Sequence, residues 1–391
     1  MDNPVLPPVR DGIARAYMKR LRITNQFLFF LPLVFVWIYS YLDLDAQVIH
    51  LAHQLTNNFY LQLAICWLPA WFVMAIATFM VLYYRLRLER QFGLSNSTFT
   101  GWAIDSTKAV GLGLFVGFAV IEVAFGMAKV SAARGWMLAG AFYSVLFLGV
   151  NSILPWILAL FYPVIPLNGA LLHERIIGLA RKAGLPIKSI QEWCVSSRTR
   201  KANALVAGIG PWRRVLLTDT MVQNFSVAEV EAILGHEFGH CAHHHLSKRI
   251  FLRSAGFCAI FWIIFGAVGN KIAIFAPANI SWNDLRFVPG FYILWRFGNI
   301  YSSLIIAALA RKQEKEADQY CWELIGNVEP FISAMKKLMD LNLIVYEKKE
   351  QWKYSHPATS QRIAAAEQFA KLQNEVNQKE SEIAKSAAIT S

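Results

Sequence analysis

Residues 226–245 read SVAEVEAILGHEFGHCAHHH. Ser226 is followed three residues later by Glu229 and then by an apolar run, the signature of a capping box that opens a helix. Within that helix His236 and His240 lie four residues apart, so both imidazoles project from one face, one turn from each other. Two nitrogens so placed reach one ion. Zn2+ suits two His nitrogens plus a carboxylate, and a catalytic site leaves its fourth position to water. Glu237 then projects beside that water, where it takes a proton as the oxygen attacks a carbonyl. The His243, His244 and His245 run reads as a solvated or adventitious metal-binding segment, with His244 competing as a ligand from position i+4 to His240.

Upstream of this helix the chain reads as a small α+β unit. A helix is expected at about 168–183, then short β-rich runs near 190–197, 203–208 and 214–218. Everything around this unit is apolar. Of the 391 residues 55% are hydrophobic and 16% charged, with 13 Trp and 27 Phe. An ordinary globular chain carries roughly 25% charged residues, so disorder, a fibre and a disulfide-stapled secreted fold are excluded and a polytopic membrane protein remains. Cys66, Cys194, Cys241, Cys258 and Cys321 are odd in number and form no CxxC pair, so they read as reduced thiols.

Six stretches are long and apolar enough to cross a bilayer: about 25–43, 60–84, 109–128, 136–162, 250–268 and 288–310. The first follows a basic segment and lacks a small-residue cleavage site, so it reads as a retained anchor. Lys and Arg alternate between the connecting loops. Loop 44–59 has none, whereas 163–249 carries eleven. The positive-inside rule then puts both termini and residues 163–249 in the cytosol. The net charge of +12 is accounted for by this bias, without nucleic acid as a partner. The expected organisation is a membrane domain with four spans (1–162), a first zinc-protease segment (163–249), two further spans (250–310), a second zinc-protease segment (311–370) and a frayed polar tail (371–391). The fold class is thus a mainly α-helical polytopic membrane protein with a small α+β cytosolic metalloprotease domain.

A third ligand is required. Residues 311–318 offer Glu314, Glu316 and Asp318 at the cytosolic end of the sixth span. Glu314 and Asp318 share a helical face, and Glu316 points about 200° away from Glu314. One carboxylate binds metal while another orients a ligand His; the residues alone leave the choice open. The sixth span returns this segment to the same side as His236.

Taken together the motifs resemble those of the type I CAAX prenyl proteases, integral-membrane zinc endopeptidases of the gluzincin group. The likeness runs over most of residues 60–370. It rests on Glu89-Arg-Gln-Phe-Gly93, Pro163-Val-Ile-Pro166, Asn203-Ala204, Arg214 to Thr220, HEFGH with the later His245, Arg311-x-x-Glu314-x-x-Ala317-Asp318, and His356-Pro357 with Arg362. HExxH, RxxExxAD and HPxxxxxR in this order are specific. The resemblance implies one Zn2+ per chain held by His236, His240 and Glu314, with Asp318 behind them. It implies that Asn203 and Ala204 form an edge strand that takes substrate by β-augmentation, and that His356 and Arg362 contact the transition state and a substrate carboxylate. It further implies a large intramembrane chamber, the lipid bilayer as surroundings, and a hydrophobic or prenylated peptide as substrate. Six spans are counted where the family typically has seven.

Glu122, Asn151, Arg253, Arg296 and Asn299 fall within spans, as residues facing a chamber would. Two rivals are kept: a bacterial-type quality-control metallopeptidase with no prenyl requirement, and a non-enzymatic metal transporter, which leaves the RxxExxAD and Asn203-Ala204 blocks unexplained.

Overall fold

The computed structural model describes residues 8–130, 134–208, 210–263, 285, 288–346 and 355–389. In chain order the elements are α1 (Pro8–Tyr41), α2 (Leu44–Leu55), α3 (Phe59–Gln91), α4 (Phe99–Val130), α5 (Gly135–Ser152), α6 (Leu154–Ala159), β1 (Val164–Pro166), α7 (Ala170–Lys182), β2 (Ser189–Trp193), β3 (Ala204–Ala207), β4 (Arg214–Thr218), α8 (Asp219–Asn224), α9 (Val227–Ala242), α10 (His245–Phe261), α11 (Val288–Ile325), α12 (Glu329–Asn342) and α13 (Thr359–Ile389). The chain divides into two compact units. One comprises residues 17–151 and 247–306, the other 1–16, 152–246 and 307–391.

Four helical segments among the described residues are long and apolar enough to cross a membrane: Asp11–Tyr41, Phe59–Gln91, Phe99–Met127 and Val288–Ile325. Their most apolar windows are only 12–28% buried. Large side chains such as Phe27, Trp37, Phe72, Met80 and Phe115 stand exposed. Apolar surface on this scale needs a lipid solvent, and the protein is a membrane protein.

One of the six expected spans differs, and another is only partly described. The 136–162 stretch does not form one helix: α5 stops at Ser152 and α6 restarts at Leu154, with Pro155 in its first turn. Pro155 lacks an N–H and clashes with the preceding turn, so it breaks a run that hydropathy alone reads as continuous. The end of the 250–268 stretch lies outside the described residues.

One intramembrane charge has a clear account. Pro32 sits inside α1 and cannot donate to the Leu28 carbonyl. Arg296 donates instead, from Nη2 to the Leu28 oxygen at 3.2 Å and the Phe29 oxygen at 2.8 Å, with its guanidinium over the Phe29 ring. Arg296 Nη2 thus supplies the donor that the helix defect at Pro32 lacks.

The other unit is built on a four-stranded sheet of order β1-β2-β4-β3. β2 and β4 are parallel, and the outer pairs are antiparallel. Three of these strands match the expected β runs, while β1 was not expected. It is three residues long and exists through its pairing with β2, with Val164 opposite Trp193. Ile176, Val215, Leu217, Met221, Leu234 and Phe238 form the core between α7, the sheet, α8 and α9. The helical run breaks near Asn327 and Pro330: α11 ends ahead of Gly326, which has φ +72°, and Pro330 falls in the first turn of α12. The expected frayed tail is instead the continuation of α13, helical to Ile389.

Candidate metal centre

The geometry begins at the start of α9. Ser226 accepts from the Glu229 N–H, and Glu229 accepts from the Ser226 N–H at 2.7 Å, so the capping box is closed. Ser333 and Lys337 of α12 add contacts of 2.6 and 2.7 Å to the same carboxylate. Burial pushes the Glu229 carboxyl up, but the Lys337 and Ser333 bonds and the Ser226 N–H more than offset it, and the net shift is downward.

Two turns on, α9 meets α11. A Cβ built on Gly239 would stand 2.9 Å from the Ala317 Cα and 3.0 Å from its carbonyl oxygen; at Gly235 it would meet the Cys321 sulfur at 3.2 Å. Cys321 Sγ also donates to the Ala232 carbonyl at 3.0 Å. Small residues at this crossing let the two helices approach closely enough for side chains to meet.

His236, His240 and Glu314 do meet. One ligand atom from each lies within 4.8 Å of the others. His236 Nε2 is 3.5 Å from one Glu314 oxygen, and His240 Nε2 is 3.3 Å from the other. Behind them, Asp318 accepts from His236 Nδ1 at 2.8 Å, and Arg362 grips Asp318 through Nε at 2.8 Å and Nη2 at 2.6 Å. Arg362 Nη2 is also 3.4 Å from His236 Nδ1. His356 is exposed, with Nδ1 2.8 Å from a Glu314 oxygen. Glu237 is half-buried beside His236, and its carboxylate makes no hydrogen bond or ion pair with the described residues. Asn203 and Ala204 lie at the start of β3, an edge of the sheet. The Asn203 backbone bonds inward to Thr218, and Ala204 packs in the core.

The donor set fits a divalent cation. Glu314 and Asp318 are almost fully buried, and Arg362 is the guanidinium that faces them. Burial works to lower the His236 pKa, yet bonds to Asp318 and Glu314 push it up to about 9. Both buried carboxylates face nitrogen donors, Glu314 those of His236, His240 and His356, and Asp318 those of Arg362 and His236. The pocket therefore favours positive charge at the point where the Nε2 atoms converge.

The expected relation of Glu316 to Glu314 is also visible. Glu316 points away from Glu314 and meets His245, at 2.9 Å from Nε2. His244 is not a competing ligand. Helix α9 ends at Ala242, and His244 is exposed in the connecting turn at φ +54°, so the helical i+4 offset does not apply. Asp318 stands behind His236, where the resemblance implies it, whereas the contact of His245 and Glu316 with His240 was not expected from the sequence.

Two imidazoles one turn apart, a carboxylate from a second helix and an acidic neighbour mark the chain as a metallopeptidase. Residues 166–370, just over half of the chain, match peptidase family M48, and the protein belongs to that family. It is similar to the uncharacterized metalloprotease YhfN of Bacillus subtilis, 26% identical over 297 residues, covering 73% of this chain and 68% of that one. It is similar also to CAAX prenyl protease 1 of Saccharomyces cerevisiae, 25% identical over 307 residues, covering 72% and 67%. The fold matches the crystal structure of Ste24p from S. mikatae, with a TM-score of 0.78 at 22% identity, over 92% of this chain and 91% of that one. The protein is a membrane metalloendopeptidase that uses a metal cofactor, and the transporter reading is set aside.

Proposed function

We propose that the protein is a multi-pass, zinc-dependent endopeptidase of the CAAX prenyl protease type, with its metal centre on the cytosolic side. The observation that carries this is the convergence of His236, His240 and Glu314. A zinc ion in that cluster supplies Lewis-acid polarisation of the scissile carbonyl and lowers the pKa of water. Glu237 takes the proton of the attacking water and returns it to the leaving amine. Asp318, clamped by Arg362, holds the Nδ1 proton of His236 and so turns its Nε2 lone pair inward. In this reading Arg362 acts through Asp318 and His236, a revision of the substrate-carboxylate contact expected from the resemblance; its bidentate grip on Asp318 supports that role. His356 is exposed, with Nδ1 against Glu314, and this place at the rim of the centre supports a role for it beside charge developing on the substrate. The edge position of β3 supports Asn203 and Ala204 as the strand on which an extended peptide lies.

The substrate proposed is a hydrophobic or prenylated peptide. The names of the yeast relatives point to CAAX processing. The membrane unit holds an apolar cavity of about 330 Å³ near Phe35, Trp67, Trp71 and Tyr292, consistent with an intramembrane chamber. The test is cleavage of a farnesylated CAAX peptide and its unprenylated twin by the detergent-purified protein. Preferential, chelator-sensitive cleavage of the prenylated peptide is expected. Equal cleavage of both would move the function to broader membrane-protein proteolysis. Glu237→Gln should lower turnover by at least about 100-fold, with zinc content unchanged. Retained activity in that variant would remove Glu237 as the base.

A further inference from the structure

The two ligand imidazoles are supported in different ways. On His236, Nδ1 faces Asp318 directly. On His240, Nδ1 faces another imidazole: His245 Nδ1 lies 2.8 Å away, with ring centroids 5.1 Å apart and planes at 68°. The other nitrogen of His245, Nε2, lies 2.9 Å from a Glu316 oxygen. His245 is 1% exposed, whereas His243 and His244 beside it stand in solvent. His244 takes a left-handed conformation in the turn between α9 and α10, and His245 after it lies against His240 of the preceding helix.

We propose that His245 is a positioning residue for the metal centre, relaying the Glu316 carboxylate to His240. The proton positions follow from one end. An ionised Glu316 only accepts, so His245 carries its proton on Nε2 and keeps a lone pair on Nδ1. That lone pair accepts the Nδ1 proton of His240. The remaining lone pair of His240 is then on Nε2, the atom facing Glu314 at 3.3 Å. One tautomer of each ring satisfies every contact, and it is the tautomer a ligand needs. A merely packed side chain needs no such pairing: an apolar residue would fill the same space without burying two ring nitrogens. Asp318 and Glu316, two apart on α11, thereby serve the two ligands from opposite faces, one directly and one through an imidazole.

The relay rests on His236, His240 and Glu314 holding a metal, and the experiment separates the two ideas. Zn2+ affinity of the full chain is measured after chelation by competition with a chromogenic chelator, and Co2+ is substituted to read ligand geometry from its visible bands. His245→Phe, which keeps volume and removes both nitrogens, should weaken Zn2+ binding by about 10–100-fold and shift the Co2+ bands. His245→Asn, whose Oδ1 falls near the site of Nδ1, should restore most of the affinity and the wild-type bands. Glu316→Ala, at a partly exposed position, should weaken binding less and add nothing in the His245→Phe background, because both act through one chain of contacts. Should His245→Phe not fold, Glu316→Ala and His245→Asn still decide the matter by affinity and spectrum. Unchanged affinity and spectrum in Glu316→Ala, or additive losses in the double variant, would overturn the relay while leaving the metal centre standing. A wild-type protein that takes up Zn2+ no better than His236→Ala would overturn both.

Discussion

Gly239 lies flat against Ala317: the atom that any other residue would add points at Ala317 Cα and its carbonyl, at 2.9 and 3.0 Å. These are backbone atoms, so a rotamer change cannot relieve the contact.

Gly239→Ala should therefore push α9 off α11 and pull both imidazoles from Glu314. Overpacking of this kind costs about 1–3 kcal/mol. Thermal unfolding and Zn2+ competition should show a lower Tm together with weaker binding. An unchanged Tm and affinity would mean that the helix crossing has slack the structure does not show.

Arg362→Ala should be among the most damaging substitutions outside the three ligands. It leaves Asp318 buried without its cation, and breaking a buried pair from one side costs about 3–5 kcal/mol. The double variant with Asp318→Asn carries no stranded charge, so it should be more stable than Arg362→Ala alone. Thermal unfolding of the two variants decides this, and a double variant that is the weaker of the two would contradict it.

The Glu229 carboxyl is held below its usual pKa in the folded protein. Its contribution to stability is therefore complete above the unfolded value of about 4.3 and is lost as pH falls through the lower folded value. Glu229→Gln removes the charged partner of Lys337 and weakens the capping box, for a loss of about 1 kcal/mol at neutral pH. The gap in Tm between wild type and variant, measured on chelated protein, should narrow as pH is lowered below about 4. A gap independent of pH would show that the carboxylate charge is not what stabilises the cap.

Local and periodic signals were the ones the sequence made legible. Ser226 and Glu229 announce α9 because the box is closed by neighbours three residues apart. His236 and His240 share a face by helical geometry alone. The alternative of Glu314 or Asp318 as the ligand stays open on residues alone, because the two share one face of α11 and the sequence does not say where along that face another helix will approach. Gly239 and Ala317 settle that in three dimensions. β1 escaped notice because three residues ending in proline carry no alternation and gain their order from Trp193 and Gln191 across the sheet. The clamp of Arg362 on Asp318 and the pairing of His245 with Glu316 join distant parts of the chain, and neither leaves a local mark.

The order in which these parts are synthesised has a further meaning. His236 and His240 leave the ribosome first, the carboxylates on α11 follow after a long apolar excursion, and Arg362 comes later still. A nascent chain carries the HExxH helix well before it carries anything to complete it. The ligand set is thus complete only late in synthesis, and the HExxH helix waits for α11 before it has a carboxylate partner for an ion.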